Sequence, residues 1–72
     1  MEVKFFATLR EGRGKEADVP WYEGIDGHAI LKTFDLEPED VKIFLINGLH
    51  GEPDAKLKPD DVIALFPAIG GG

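Results

Sequence analysis

The shortness of the chain is the feature that most constrains its fold. With 72 residues it has room for one domain and one hydrophobic core, and it lies near the lower limit for unaided folding. It contains no cysteine, so neither disulfides nor thiolate metal sites can supplement that core. Apolar residues make up 43% of the sequence, which is enough to build the core and argues against a disordered chain.

Acidic residues outnumber basic ones by 14 to 8, so the chain carries a net charge of −6. That charge repels phosphate backbones, and we expect no nucleic-acid partner. An acidic surface would suit a basic docking site on a larger protein. Apolar runs such as residues 43–46 are too short to cross a bilayer, and the start has no basic segment followed by a long apolar one. We therefore expect a cytoplasmic protein with no signal peptide and no membrane partner.

The chain begins with a stretch that predicts a β-strand. Residues 2–8 are rich in β-forming side chains and start with apolar/polar alternation. The alternation divides six residues between the two faces of the strand: Val3, Phe5 and Ala7 on one, Lys4, Phe6 and Thr8 on the other. A polar turn at 10–15 and a short strand within 16–21 predict a hairpin, and Pro20 must end that second strand or lie at an edge.

The spacing of apolar residues changes after the glycines at positions 24 and 27, where it fits a helix better than a strand. We predict a short helix over 27–34, with Asp26 as its N-cap. Pro38 disfavours helix in the residue before it, so this helix cannot continue far.

The second half of the chain predicts three more strands. Residues 41–47 are β-branched, aromatic and buried in character, and Asn47-Gly48 is a strong hairpin-turn signal. A short return strand would begin at 49–50. The last strand, 62–66, would end at Pro67, which cannot donate a ladder hydrogen bond.

This order of elements predicts an α+β fold of the β-grasp (ubiquitin-like) arrangement. A mixed sheet of four to five strands would pack on one main helix, with the first and last strands side by side in its centre. We place the domain at residues 1–67 and a flexible tail at 68–72.

The tail ends in three glycines, Gly70, Gly71 and Gly72. Glycine lacks a Cβ, so the segment is narrow and conformationally free. Five extended residues after Pro67 span roughly 17 Å, far enough for a terminal carboxylate to enter a partner's active site through a narrow channel. Terminal glycines are also common as frayed ends with no role. What favours a role here is that they directly follow the last strand of this fold.

Three segments resemble the MoaD/ThiS family of ubiquitin-like sulfur carriers, and in particular the small subunit of molybdopterin synthase. They are residues 3–11 (VKFFATLRE), the turn at 46–48 (ING) and the ending at 60–72 (DDVIALFPAIGGG). In that family a Phe-Pro pair precedes two apolar residues and a Gly-Gly terminus. The third glycine and the short helix depart from the pattern, and they leave the register of Ile69 and the pathway open.

The resemblance implies a specific chemistry. An adenylating enzyme of the ubiquitin-activating type uses ATP to convert the Gly72 carboxylate into an acyl-adenylate, and a sulfur donor then displaces AMP to leave a thiocarboxylate. Gly70 and Gly71 would form the thin segment inside the partner. The carrier would bind no cofactor or metal and would be a co-substrate rather than an enzyme, and it would donate its sulfur to the large subunit of molybdopterin synthase or an equivalent acceptor.

Three alternatives stay open at this point. The sulfur could serve a thiamine pathway rather than a molybdenum- or tungsten-pterin pathway, although the Phe66-Pro67 ending favours pterin. The chain could instead be a ubiquitin-like modifier attached to lysines through Gly72. It could also be a plain interaction domain whose tail is incidental.

The partner-binding surface is predicted at the root of the tail. If Val3 and Phe5 face the helix, Phe6 points away from it, beside Phe66 and near Ala64, with Pro67 and Ile69 following. Aromatic patches on small domains commonly mark contact sites. The opposite parity would make these aromatics core. Phe44 and Ile46 could extend the patch, although their run is apolar on both faces.

Other kinds of site find little support in the sequence. His28 and His50 have no spacing that suits a metal, and the acidic run at 37–40 lacks the spacing of a calcium loop. The glycines at 12–14 lack the flanking pattern of a phosphate-binding loop. The chain has neither serine nor cysteine, so the usual nucleophiles of hydrolases are missing.

Overall fold

The structure, a computed structural model, describes residues 1–68. In these residues five strands, one α-helix and two 3₁₀ turns follow one another along the chain. The strands are β1 (Glu2–Phe5), β2 (Glu16–Asp18), β3 (Val41–Ile46), β4 (Leu49–His50) and β5 (Val62–Pro67), the helix is α1 (Gly27–Thr33), and the 3₁₀ turns are Ala7–Arg10 and Pro38–Asp40. Ile69, Gly70, Gly71 and Gly72 lie outside the described residues, so most of the predicted tail is untested.

The five strands form one mixed sheet in the order β2-β1-β5-β3-β4. The central strands β1 and β5 run parallel, and the other pairs are antiparallel. Ile30 and Leu31 of α1 are buried in one core with side chains from β1, β3 and β5. The α+β, β-grasp prediction is therefore confirmed, including the central position of the first and last strands.

The first strand is shorter than predicted. It ends at Phe5, and Ala7 adopts a left-handed conformation (φ 52°) at the start of a 3₁₀ turn. Ala7 and Thr8 are exposed and belong to neither face of the sheet, so their predicted assignments were wrong. The turn brings Leu9 into the core, and that burial explains why the chain leaves the strand direction.

The helix begins where the sequence predicted and ends one residue earlier. The Ala29 N–H donates to the Asp26 carboxylate (3.1 Å), which confirms the N-cap. At the other end the Arg13 guanidinium donates to the Phe34 carbonyl oxygen (Nη2–O 3.2 Å), which would otherwise lack a helical partner. Pro38 then opens the 3₁₀ turn Pro38–Asp40.

The Asn47-Gly48 turn is also confirmed, with positive φ at both residues (54° and 82°). It is held to the start of β5 by a buried carboxylate. Asp61 is 7% exposed and accepts hydrogen bonds from the Asn47 amide and the Lys58 N–H, both at 2.8 Å. The Asn47 side-chain oxygen in turn accepts from the Val62 N–H at 2.9 Å. This network connects the end of β3 to the beginning of β5.

Replacing Asp61 with alanine is expected to lower the free energy of unfolding by about 1–3 kcal/mol, because two part-buried hydrogen bonds would lose their charged acceptor. Urea denaturation would measure the loss. Asp60→Ala is the matched control, since it removes the same charge from an exposed neighbour. Equal losses in the two variants would contradict a structural role for the network.

The last strand extends one residue further than predicted. Pro67 is buried and pairs with Val41 rather than ending the ladder, opposite a register shift between Val41 and Ile43. Prolines are tolerated at such irregularities. The Ala68 N–H then donates to the Asp40 carbonyl oxygen (3.3 Å). Hydrogen bonding to the domain therefore continues one residue past the predicted boundary at 67.

Candidate functional site

The two faces of β5 differ in what covers them. Ile63 and Leu65 are fully buried against the helix side, whereas Ala64 and Phe66 lie half-buried on the opposite face. Val3 and Phe5 of β1 are fully buried as well. The predicted parity of both central strands is therefore confirmed, and the face of the sheet away from α1 carries its own apolar side chains.

An aromatic pair lies on this open face. The rings of Phe6 and Phe66 stack with their centroids 4.3 Å apart and their planes 8° apart. The Phe6 N–H donates to the Leu65 carbonyl oxygen (3.1 Å), which continues the β1–β5 pairing one residue past β1. Because β1 and β5 are parallel, their carboxyl ends lie at the same edge. The pair therefore lies where the chain passes from the sheet into the tail.

Strand β3 widens the apolar surface. Ile43 lies opposite Phe66, and Leu45 lies opposite Ala64. Because paired residues share a face of the sheet, both side chains lie on the open face, where Ile43 is 41% exposed. We call Phe6, Ile43, Leu45, Ala64 and Phe66 the open-face patch.

Phe44 and Ile46, whose parity the sequence left open, do not extend the patch. Phe44 is 4% exposed and pairs with Leu65, and Ile46 pairs with Ile63, so both lie on the helix side. The run at 43–46 is apolar on both faces and could not assign its own parity. Its register opposite β5, with the shift between Val41 and Ile43, settles the assignment.

Arg10 is the residue of this site that the sequence analysis missed, because it was counted as part of a polar turn. Its Nε donates to the Phe5 carbonyl oxygen (2.9 Å), and its Cζ lies over the Phe6 ring, 5.5 Å from the centroid. This is the geometry of a cation–π contact. The 3₁₀ turn after β1 places the side chain there, and no periodicity signal marks that turn.

The structure thus brings together four of the predicted site residues. Phe6, Ala64 and Phe66 belong to the open-face patch, and Pro67 follows as the buried last residue of β5. Ile69 and the predicted reactive segment, Gly70, Gly71 and Gly72, lie outside the described residues. The described part of the site is an apolar patch with the end of β5 at its edge, and its role in partner binding stays a prediction.

The histidines lie away from this surface or at its margin. The His28 ring pairs with the exposed Asp54 carboxylate (Nε2–Oδ1 2.6 Å) on the helix side, and His50 lies on the edge strand β4. Within residues 1–68 no group of three or more histidine and carboxylate side chains could hold a metal ion. None of the helices in the same range is long and apolar enough to cross a membrane.

The stacking of Phe6 on Phe66 has a measurable consequence for stability. In a double-mutant cycle with Phe6→Leu and Phe66→Leu, the two losses of unfolding free energy should not add. We expect a coupling of about 0.5–1.5 kcal/mol, as found for stacked aromatic pairs beyond their area burial. Urea denaturation of the four proteins would give the value, and strictly additive losses would contradict it.

The comparison with protein families decides the family. The model for the ThiS family matches residues 3–72, nearly the whole chain. The chain belongs to the ThiS family. No curated protein matches the chain.

This ThiS-family chain shares its fold with several solved structures. It is similar to a putative molybdopterin converting factor, subunit 1, from Pyrococcus furiosus, with a TM-score of 0.77, 24% identity and coverage of 94% of this chain and 95% of the other. It is also similar to the small archaeal modifier protein 1 of Haloferax volcanii. One structure of that protein has a TM-score of 0.80, 23% identity and coverage of 94% and 95%. A structure of SAMP1 from Haloferax volcanii gives 0.77, 26% identity and coverage of 99% and 97%.

These comparisons confirm the predicted MoaD/ThiS family and the ubiquitin-like fold. The family match also supports a coarse functional class for the chain, namely a small ThiS/MoaD-like carrier, and the likeness to the small archaeal modifier protein shows a shared ubiquitin-like fold.

Proposed function

We propose that the chain is a sulfur carrier whose Gly72 carboxyl is activated by a partner enzyme and converted to a thiocarboxylate. The observation that carries the proposal is the stacked Phe6–Phe66 pair, at the edge of the sheet where the chain continues into the glycine tail. A docking patch at this place can hold the domain on a partner while five residues after Pro67 reach roughly 17 Å into its active site.

The chemistry follows from what a carboxylate lacks. It resists acyl transfer because its oxygen is a poor leaving group. In the proposed first step a Gly72 carboxylate oxygen attacks the α-phosphorus of ATP and expels pyrophosphate, which gives an acyl-adenylate. Hydrosulfide then attacks the acyl carbon, so that a C–S bond forms, the C–O bond to AMP breaks and AMP leaves, and loss of the S–H proton gives the thiocarboxylate. The chain contains no serine or cysteine, and the partner supplies the catalytic groups.

In this proposal the chain is a co-substrate and not an enzyme, and it holds no cofactor of its own, since ATP is bound by the partner. The partners are an adenylating enzyme of the ubiquitin-activating type and the large subunit of molybdopterin synthase or an equivalent sulfur acceptor. The Phe66-Pro67 ending favours a molybdenum- or tungsten-pterin pathway over a thiamine pathway. We propose a cytoplasmic location, where ATP for such a route is available.

The test is intact-mass spectrometry of the chain after incubation with the adenylating enzyme from the same genome, ATP and a sulfide source. We expect one oxygen to be replaced by sulfur, and fragmentation should locate the exchange at Gly72. Reactions without ATP should give no exchange. Failure of the wild-type chain to exchange in the complete reaction would refute the proposal.

The recipient of the sulfur requires a second measurement. The thiocarboxylated chain is mixed with the large subunit of molybdopterin synthase and its pterin substrate, and the masses of both are followed. We expect the sulfur to leave the carrier and to appear in the pterin product. The thiamine-pathway acceptor, tested in a parallel reaction, is the second arm, and transfer only to it would assign the chain to that pathway instead.

A second candidate function has its own support, because the chain shares its fold with the Haloferax volcanii small archaeal modifier protein 1 at a TM-score of 0.80. In a modifier the activated Gly72 carboxyl would form an amide with lysines of target proteins. Immunoblots of the tagged chain should then show slower-migrating conjugates that a Gly71–Gly72 deletion abolishes. A chain that is thiocarboxylated but gives no conjugates would be a sulfur carrier alone.

A further inference from the structure

Arg10 is held in place by two contacts within its own domain. Its Nε donates to the Phe5 carbonyl oxygen at 2.9 Å, and its guanidinium lies over the Phe6 ring. The side chain is nevertheless exposed, and within residues 1–68 its two terminal nitrogens make no hydrogen bond or ion pair. The guanidinium is thus held at its Nε, and its two terminal nitrogens present their N–H groups to solvent beside the open-face patch.

The charges around the tail root are unevenly distributed. The chain has a net charge of −6, yet the group in contact with the aromatic pair is a cation. Two acidic residues of the central sheet, Glu2 and its partner Asp18, lie at the far end of β1. The turn containing Glu39 and Asp40 lies on the β3 side of the root, where the Asp40 carbonyl accepts from Ala68. The cation that contacts the aromatic pair therefore contrasts with the acidic net charge of the chain.

We propose that Arg10 helps to dock the chain by pairing with a carboxylate of the adenylating enzyme. A guanidinium already oriented by Phe5 and Phe6 loses little freedom when its outer N–H groups bind a carboxylate in the two-point geometry that arginine favours. The net charge of the chain by itself predicts a basic docking site. Opposite Arg10 we infer an acidic group on the partner instead. Its pairing with Arg10 would set the orientation in which the open-face patch docks.

This inference rests on the proposed function, and the test uses the same enzyme. ATP–pyrophosphate exchange by the adenylating enzyme is measured at increasing concentrations of the wild-type chain, Arg10→Gln, Arg10→Lys and Lys32→Gln. Glutamine keeps a donor of similar reach for the Phe5 carbonyl but removes the charge. Lys32 is the matched control, because it is exposed on α1, on the other side of the sheet. Thermal unfolding of each variant confirms that it is folded at the assay temperature.

We expect Arg10→Gln to raise the KM for the carrier about tenfold, with kcat close to the wild-type value, because the lost contact acts in docking. Arg10→Lys should recover part of the difference, since it keeps the charge but not the planar fork. The wild-type KM should also rise more steeply with salt than that of Arg10→Gln. Lys32→Gln should match the wild type.

Each contrary result has its own meaning. Wild-type turnover with equal KM values for Arg10→Gln and Lys32→Gln would overturn the pairing and leave the proposed function intact. A lower KM for Arg10→Gln would also overturn it, since Arg10 would then oppose docking, for example by holding a carboxylate of its own chain. No turnover with the wild-type chain would overturn the proposed function and this inference with it.

Discussion

A chain that lacks Gly71 and Gly72 is expected to give neither acyl-adenylate nor thiocarboxylate, although its domain folds as before. The deletion leaves a carboxylate on Gly70 but shortens the reach of the tail by about 7 Å. Adenylation requires the reacting atoms to approach within about 3–3.5 Å, and a misplacement of about 1 Å can cost a hundredfold in rate. The root of the tail cannot move forward to compensate, because Pro67 is buried within β5 and Ala68 is bonded to Asp40.

Intact-mass spectrometry and pyrophosphate exchange would measure the loss. Gly71→Ala is the matched control, because it keeps both the length of the tail and the terminal carboxylate and adds only a Cβ. It should retain detectable activity, reduced to the extent that the partner's channel is narrow. Circular dichroism should show the same fold for both variants. Normal sulfur incorporation by the deletion variant would show that Gly71 and Gly72 are not needed for the reaction.

The elements that were predictable from the sequence are those whose cause is local. The Asp26 carboxylate caps α1 by accepting from the Ala29 N–H, only three residues further along the chain. Asn47 and Gly48 adopt the left-handed conformations that their residue types favour. The alternation at the start of β1 was also sufficient, because Val3 and Phe5 are buried whereas Lys4 between them is only partly buried. In each case the deciding contact lies within a few residues or repeats with the period of the element.

The elements that were not predictable depend on contacts between distant residues. The run at 43–46 is apolar throughout, so only its register opposite β5 decides that Phe44 is core and Ile43 is not. The early end of β1 depends on the burial of Leu9 in the core. Because β1 ends early, the chain enters a 3₁₀ turn that places the Arg10 guanidinium over the Phe6 ring, and Arg10 thereby joins the candidate site. Periodicity carries none of this information.

Gly27 is expected to be the glycine least tolerant of substitution, and the reason lies in the way a loop closes over the helix start. A Cβ at this position would lie 2.7 Å from the Pro53 Cα, 2.8 Å from the Pro53 carbonyl oxygen and 2.8 Å from the Phe44 ring. The loop cannot retreat easily, because the His28 N–H donates to that same carbonyl (3.1 Å) and the Leu57 N–H donates to Ile25 (2.9 Å). We expect Gly27→Ala to lower the free energy of unfolding by about 2–3 kcal/mol, as overpacking does.

Gly51→Ala is the matched comparison, measured by urea denaturation under the same conditions. Its Cβ would meet side-chain atoms of Ile46 (Cδ1 at 2.7 Å and Cγ1 at 2.9 Å) and no backbone atom, and a side chain can shift more readily than a backbone, so the loss should stay below about 1 kcal/mol. Gly27 lies on the helix side, away from the open-face patch, so folded Gly27→Ala should keep the wild-type KM with the adenylating enzyme. A raised KM in that variant would mean that the helix side takes part in docking. Equal losses of stability in the two glycine variants would mean that the backbone at Pro53 shifts as easily as the Ile46 side chain does.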